Sequence, residues 1–509
     1  MTGRLADAWR ATRIARIVLV PLLALVVLLG WALASPVLAS PDDDFHQASI
    51  WCAGGEQKGV CEAVPGHPDQ RAVPPGVSTN GAPCYGHLPA VSASCLAATT
   101  PEGMVTTDRV NSHGQYPVLF YATMHLFVSK DVTTSVLIMR AVNALLFVAL
   151  STAVALLLIS SRRTTLVWGW LITLIPLGIF LVPSVNPSSW ALTSAGLLWI
   201  SLVGYFETRG WRQAGLGALA VVAAVIGGGA RSDSALYSIL SVGVAMLLTV
   251  RWKDPRFWLS SILGIVIAVI SFVLYLTAGQ SHSPLGRGGF TGSLLTLGFH
   301  NVLDVPLLWA GIYGVNGGTG WLDTTMPASV WVIGLVCFGA LTFGGLRAMN
   351  WRKGLVLAGG VVVLVALPVA MLTAIRYTID PILQPRYLLP LIIVVAGVAL
   401  FQIGRHRIGF TRVQWAAVGV SLFAIQAVAL HENIRRYVTG TEVWGANLSA
   451  NVEWWWHLPF GPMAMWAGIT VAFGLLTFFA VSEFRTWTLP SRGGEPATAA
   501  TPRTEAPVE

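Results

Sequence analysis

Charge is scarce in this 509-residue chain. Asp, Glu, Lys and Arg make up 11% of it, against about a quarter in soluble domains, while 54% is hydrophobic and the mean hydropathy is +0.67. That balance excludes an ordinary soluble protein. Acidic residues are scarcer than basic ones, 23 against 31, but the net charge of +8 sits in short clusters between apolar runs. No nucleic-acid footprint is expected from it. The five cysteines contain no C-x2-C pair, which weighs against a zinc knuckle. No internal repeat is apparent, and ionisable residues are few within the apolar runs, which weighs against a repeat-built transporter or lipid flippase.

What the chain has is apolar length. Windows of roughly 17 to 25 residues, enough to span a bilayer, recur near 14–38, 133–160, 165–183, 188–206, 214–230, 234–250, 257–278, 328–347, 354–375, 387–403, 413–431 and 462–482. The expected fold is an all-α polytopic membrane protein with about twelve transmembrane helices. Basic clusters set its orientation, because Lys and Arg stay in cytoplasmic loops. Arg4/Arg10/Arg13/Arg16, Arg162/Arg163, Arg209/Arg212, Arg251/Lys253/Arg256, Arg347/Arg352/Lys353, Arg405/Arg407/Arg412 and Arg485/Arg492 all fall on one side when the N-terminus is cytoplasmic.

The resulting organisation runs from a cytoplasmic start and first helix (1–38) to an exported loop (39–132), helices two to seven (133–278) and a second exported loop (279–327). Helices eight to eleven (328–431), a Trp-rich exported loop (432–461), the last helix (462–482) and a cytoplasmic, disordered tail (483–509) complete it. The first helix reads as a retained anchor, with cleavage after "ALASP" as the alternative. The exported side has the long polar stretches and, with Asp233 and Asp380 at its helix ends, about 16 of the 23 acidic residues. That face is expected to carry the function.

Cys52, Cys61, Cys84 and Cys95 lie in the first exported loop and read as two disulfides formed in an oxidising compartment. Cys52 with Cys61 and Cys84 with Cys95 is the simplest of three connectivities, and spacing alone does not choose among them. Cys337, mid-membrane, reads as packing.

"SPDDDFH" follows the first helix. One carboxylate caps a helix; three, at Asp42, Asp43 and Asp44, point to a functional acid, with His46 on the same helical face as Asp42 and Asp43. Adjacent aspartates also suggest a divalent cation, Mg or Mn, although three consecutive acids cannot all ligate one ion. Other charges recur at helix ends on the same side: Arg231 and Asp233 in "ARSDS", and Arg376, Asp380 and Arg386 in "AIRYTIDPILQPRYLLPL". Ion pairs of Arg231 with Asp233 or Arg376 with Asp380 are the structural alternative to a site. "HGQYPVLFY", with His113, Gln115 and Tyr116, returns to the membrane where a lipid headgroup would be held. Asn186 reads only as a loop signal. Trp321 and Asp323, and Trp454, Trp455, Trp456 and His457, suit sugar stacking and an interfacial belt equally well.

Several of these stretches resemble one superfamily. An exported "PDD" where "PDE" is expected, "YPVLFY" like "YPPLYY", "MRAVNALL" like an R-x-x-N helix, and "QPRYLLPL" like "QGRYLLPL" together look like the bacterial membrane glycosyltransferases of the GT-C fold. Within it the likeness is to an uncharacterised branch of predicted membrane proteins found with polysaccharide genes. It spans roughly residues 14–430.

The resemblance implies a polyprenyl-phosphate sugar as donor, a cell-envelope glycan or lipid as acceptor, and surrounding membrane lipids as partners. By position it makes Asp42 the catalytic acid of the first exported loop, Asp43 the acid after it, and Arg386, followed by Tyr387, the arginine of the "RY" motif. It places the site on the outer face of a bacterial plasma membrane. Pro385 in place of a glycine and Gln115 in place of a lysine depart from the pattern. Asp44, outside the matched positions, is expected to matter least of the three aspartates. A polysaccharide polymerase or ligase on the same face is the nearest rival.

Overall fold

Many helices start where the sequence supplies a cap. The computed structural model describes residues 2–99, 102–279, 288–379, 383–404 and 408–487. Asp380, Arg405, Arg407, Arg492 and the tail beyond residue 487 lie outside the described residues. Helix α1 (Thr2–Leu33) leads into a short loop and α2 (Asp43–Cys52). A small antiparallel sheet follows, ordered β1 (Glu62–Val64), β2 (His67–Val73), β3 (Val105–Thr107), with Ala63 opposite Arg71 and Arg71 opposite Thr107. Helix α3 (Cys95–Thr99) lies between β2 and β3, and α4 (Val118–His125) follows β3. The sheet is absent from an all-helical expectation; its strands are too short and polar to register as a periodic pattern.

The membrane portion continues with α5 (Val132–Leu157), whose Asp131 side chain accepts from Thr134 N–H, then α6 (Ser160–Thr173) and α7 (Leu177–Leu181). Residues 165–183, expected as one span, are these two helices: Pro176 lacks the N–H that would continue the ladder. Next come α8 (Ser188–Glu207), α9 (Trp211–Gly228), α10 (Ser232–Thr249) and α11 (Pro255–Thr277), the last started by Asp254 with proline in its first turn. Helices α12 (Leu294–Ala310), α13 (Ala328–Leu346), α14 (Trp351–Ala374), α15 (Pro385–Leu400), α16 (Arg412–Val438) and α17 (Pro462–Trp487) complete the chain. A capping box of Thr411 and Gln414 opens α16.

Helix α8 is the axis of the bundle. Nearly all of its side chains are buried, as expected of a helix apolar on every face. Small residues let neighbours close in: the indole of Trp170 fills the space above Gly196, and that of Trp199 the space above Gly397. Helices α11 and α14 are mostly exposed and apolar, as surfaces facing lipid should be.

Ten described helices are long and apolar enough to cross a membrane, and the protein is a multi-pass membrane protein. Helix α12 is among them, inside a stretch expected as loop. Its flanks nevertheless attach to one face. Before it, Gly288 N–H donates to Ile375 O at the end of α14; after it, Trp321 Nε1 donates to Leu38 O beyond α1, and Asp323 pairs with Arg436 at the end of α16. Helix α12 therefore enters and leaves on the same side. Setting it aside, and adding the shorter apolar helices α1 and α15 and the broken pair α6/α7, gives twelve candidate crossings among the described residues.

Both disulfides form on that same face, Cys52 with Cys61 and Cys84 with Cys95. The disulfide face has its own small core, in which Trp51, Phe120, Tyr121, Met124 and Val136 are buried beneath β2. Cys337 is buried and free.

Candidate functional site

The site assembles from four separate pieces of chain. The loop leaving α1 is held by Arg140 of α5, which donates to the carbonyls of Ala32, Ser35 and Pro36. Three residues on, Asn143 bonds Ser184 O and accepts from Trp190 Nε1. The R-x-x-N helix is thus a clamp on two turns. One of them carries Asn186, fully buried, whose Nδ2 donates to Pro41 O at 2.8 Å. Asn186 is a positioning residue and not merely a loop signal.

Asp42 comes next, at the N-cap position of α2 with φ of 59°, in the left-handed region that non-glycine residues seldom adopt. Its side chain makes no capping bond. The carboxylate turns instead to Arg386 Nη2 at 2.5 Å, and Arg109 Nη2 lies 3.5 Å from its other oxygen. Arg386 stands in the first turn of α15 behind Pro385, whose fixed φ suits that position and accounts for the departure from glycine. It also donates to Pro41 O and to the Tyr387 hydroxyl, 3.1 Å away. Arg386 is buried, while the Asp42 side chain is 37% exposed. Burial pushes the Asp42 carboxyl up, but the charge and hydrogen bond of Arg386, helped by the charge of Arg109, outweigh it and hold the group at about 2.

The other two aspartates diverge. Asp43 is fully buried and accepts from the backbone N–H and hydroxyl of Ser40. Burial lifts its carboxyl to about 6 against the opposing pull of Arg140 and Ser40. Asp44, also buried, takes both arms of Arg109, and burial raises it as well. Asp42 is bonded chiefly to Arg386, Asp43 to Ser40 and Asp44 to Arg109, which also lies 3.5 Å from Asp42, so the three carboxylates do not all meet at one point. Among the described residues no group of three His, Cys, Asp or Glu side chains is placed to hold a metal ion. Asp44 is thus held to Arg109 by two bonds.

His46 is buried, with Nδ1 2.9 Å from the Tyr121 hydroxyl and its ring edge-on to Tyr116. Burial drives the imidazole down to about 3, so it is neutral. Tyr116, fixed by paired bonds between its backbone and the Asn111 side chain, joins the cluster. Arg231 stacks over the rings of Tyr116 and Tyr387 at 5.8 and 5.0 Å and pairs with Asp233 through two bonds of 2.9 and 2.8 Å.

Other candidates fall elsewhere. Arg376 reaches the carbonyls of Phe290 and Gly292. His113 pairs with Asp69 at the exposed rim of the sheet, and the backbone of Gln115 lies beside Gly279. Trp321 and Trp456 spend their indole N–H groups on Leu38 O and Leu33 O, so these rings fasten loops to the end of α1.

Arg109 was not anticipated. It is a lone arginine in a polar loop, with no periodic or motif signal, and only the fold brings it to Asp42 and Asp44.

The assembled site is a ring of three guanidinium groups, Arg109, Arg231 and Arg386, and three carboxylates, Asp42, Asp44 and Asp233, walled by tyrosines and a neutral histidine. The profile of a family of predicted membrane proteins, DUF2142, matches residues 25–395. The chain belongs to this family. The DUF2142 match takes in every residue of the ring and ends within α15. No curated protein and no solved structure matches the chain significantly.

Proposed function

We propose that the protein is a membrane glycosyltransferase of GT-C type, moving a sugar from a polyprenyl-phosphate donor to a cell-envelope glycan or lipid acceptor. Its site faces outward from a bacterial plasma membrane, consistent with the disulfides on one face and the basic helix ends on the other. The observation that carries the reading is the meeting of Asp42 and Arg386, 344 residues apart, at one half-open position.

In the reaction, an acceptor hydroxyl oxygen attacks the anomeric carbon. The bond from that carbon to the phosphate oxygen breaks, the polyprenyl phosphate leaves with the electron pair, and the hydroxyl proton passes to Asp42. One displacement inverts the anomeric centre. Phosphate is a stable leaving group, so one base suffices and the departing charge needs stabilisation more than a proton. Arg386 supplies it, since a guanidinium fork matches two phosphate oxygens. Asp43 has the more basic carboxyl but is sealed against Ser40, which leaves Asp42 as the accessible base.

Purified protein in nanodiscs, incubated with a panel of radiolabelled polyprenyl-phosphate sugars and extracted envelope glycans, tests the reading. Label should move from at least one donor to a glycan or lipid product; a panel in which no donor is consumed contradicts it.

A further inference from the structure

Arg386 is an under-satisfied cation. It is 2% exposed, its Nε has no hydrogen-bond partner among the described residues, and its one carboxylate contact is a single bond from Nη2 to Asp42. A buried guanidinium is better served by an acceptor that presents two oxygens to its fork. His46 Nε2, likewise buried, has no partner either among the described residues.

The carboxylates of the ring differ in how firmly they are held. Asp44 is buried and gripped twice by Arg109, and Asp233 is gripped twice by Arg231. Asp42 has one bond to Arg386 and the looser 3.5 Å approach of Arg109. It is more than a third exposed and sits on a backbone with φ of 59°. It is the anion most easily moved. The two guanidinium groups that flank it, Arg386 and Arg109, are the ones an incoming anion would meet first.

We infer that the Asp42 carboxylate is a placeholder: it occupies, between Arg386 and Arg109, the position that a phosphate ester takes when it binds. The inference rests on the transferase reading and adds to it the place of the phosphate, the second arginine that holds it, and an order of events. Three guanidinium groups are already matched by three carboxylates, so a phosphate meets the least repulsion where a carboxylate steps aside. Once Arg386 turns to phosphate, the interaction that keeps Asp42 weakly basic is gone, while its burial and the neighbouring Asp44 remain. Asp42 gains basicity only when a donor is present. The groups that then face it are Arg109 and Asp44, neutral His46, and the Arg231–Asp233 pair.

Binding of farnesyl phosphate and of inorganic phosphate to the full-length protein in nanodiscs tests this. The variants are Asp42→Asn, Asp42→Gly and the double variant Asp42→Asn/Arg386→Lys. Asn and Gly both accept the left-handed backbone, so one folded variant suffices. With the competing carboxylate gone, farnesyl phosphate should bind on the order of tenfold tighter to Asp42→Asn and Asp42→Gly, the scale of one charge-assisted hydrogen bond. The double variant, which keeps the charge but loses the fork, should lose the gain. Tightening confined to farnesyl phosphate marks a lipid-linked phosphate site, and equal tightening of inorganic phosphate marks a general one; both uphold the exchange. A gain that survives in the double variant is plain electrostatics and overturns the inference. Wild-type binding with no gain in either single variant overturns it too, leaving the transferase reading intact. Absence of binding in wild type and both single variants removes both.

Discussion

Asp43 is the buried acid beside Asp42, the proposed base, and its burial has a measurable consequence. Its carboxyl titrates near 6 in the folded protein against 3.8 unperturbed. Between those values the folded chain holds a proton that the unfolded chain has lost. The favourable contribution is complete below about pH 3.8 and is lost as the pH rises through 6. Asp43→Asn keeps the bond to Ser40 and removes the titration. The apparent Tm of the variant relative to wild type, at one scan rate in one detergent, should therefore be higher at pH 7 than at pH 4. A difference that does not change with pH, or that changes in the other direction, contradicts this account of the pocket. At this scale the sequence was partly legible. Asp42, Arg386, Tyr387 and Tyr116 announce themselves through motif and placement. Arg109 and Asn186 do not, because each is a single polar residue in a loop whose partners lie 65 and 145 positions away. The run of three aspartates suggested a shared ion; among the described residues Asp43 turns to Ser40 while Asp42 and Asp44 turn to arginines, and no group of three is placed to hold a metal.

Among the elements, hydropathy reveals the crossing helices well, since length and composition are all a span requires. It fails where a helix is apolar without crossing. Helix α12 carries Leu295, Phe299 and Leu303 on an exposed face, together with a His300–Asp304 pair in mid-helix, and both of its flanks attach to the disulfide face. An engineered thiol near Gly292 and another near Asn316 should both react with an impermeant reagent added from that side, and one near Ala348 should be spared. Labelling of Gly292 and Asn316 from opposite sides would make α12 a crossing helix. The small sheet escaped notice for the opposite reason, having too few apolar residues to show a period. Its loop is stapled, and peptides from unreduced protein should show Cys52 linked to Cys61 and Cys84 to Cys95. Four free thiols in native protein would falsify the staple and leave a loop with little core of its own.

Across the whole molecule the two faces do different work. On the face opposite the disulfides, Arg162 pairs with Glu207 and reaches Gln402 O, and buried Lys353 donates to the carbonyls of Gly345, Ala348 and Phe401. These cations close helix ends. On the disulfide face, Arg140 and Arg436 do the same for loops, and Arg386 and Arg109 meet at a half-open carboxylate. Bringing Asp42 to Arg386 requires α1, α5, α8 and α15 to pack together, so the site is a property of the entire bundle. Its chemistry is tested most directly by initial rates of sugar transfer from a polyprenyl-phosphate donor, measured for wild type, Asp42→Asn and Arg386→Lys, each verified as folded. Asp42→Asn should lower the rate at saturating donor by at least about 10²-fold, the range a positioned base contributes. Arg386→Lys should lower turnover and weaken donor binding together. Near wild-type transfer by Asp42→Asn would contradict the account.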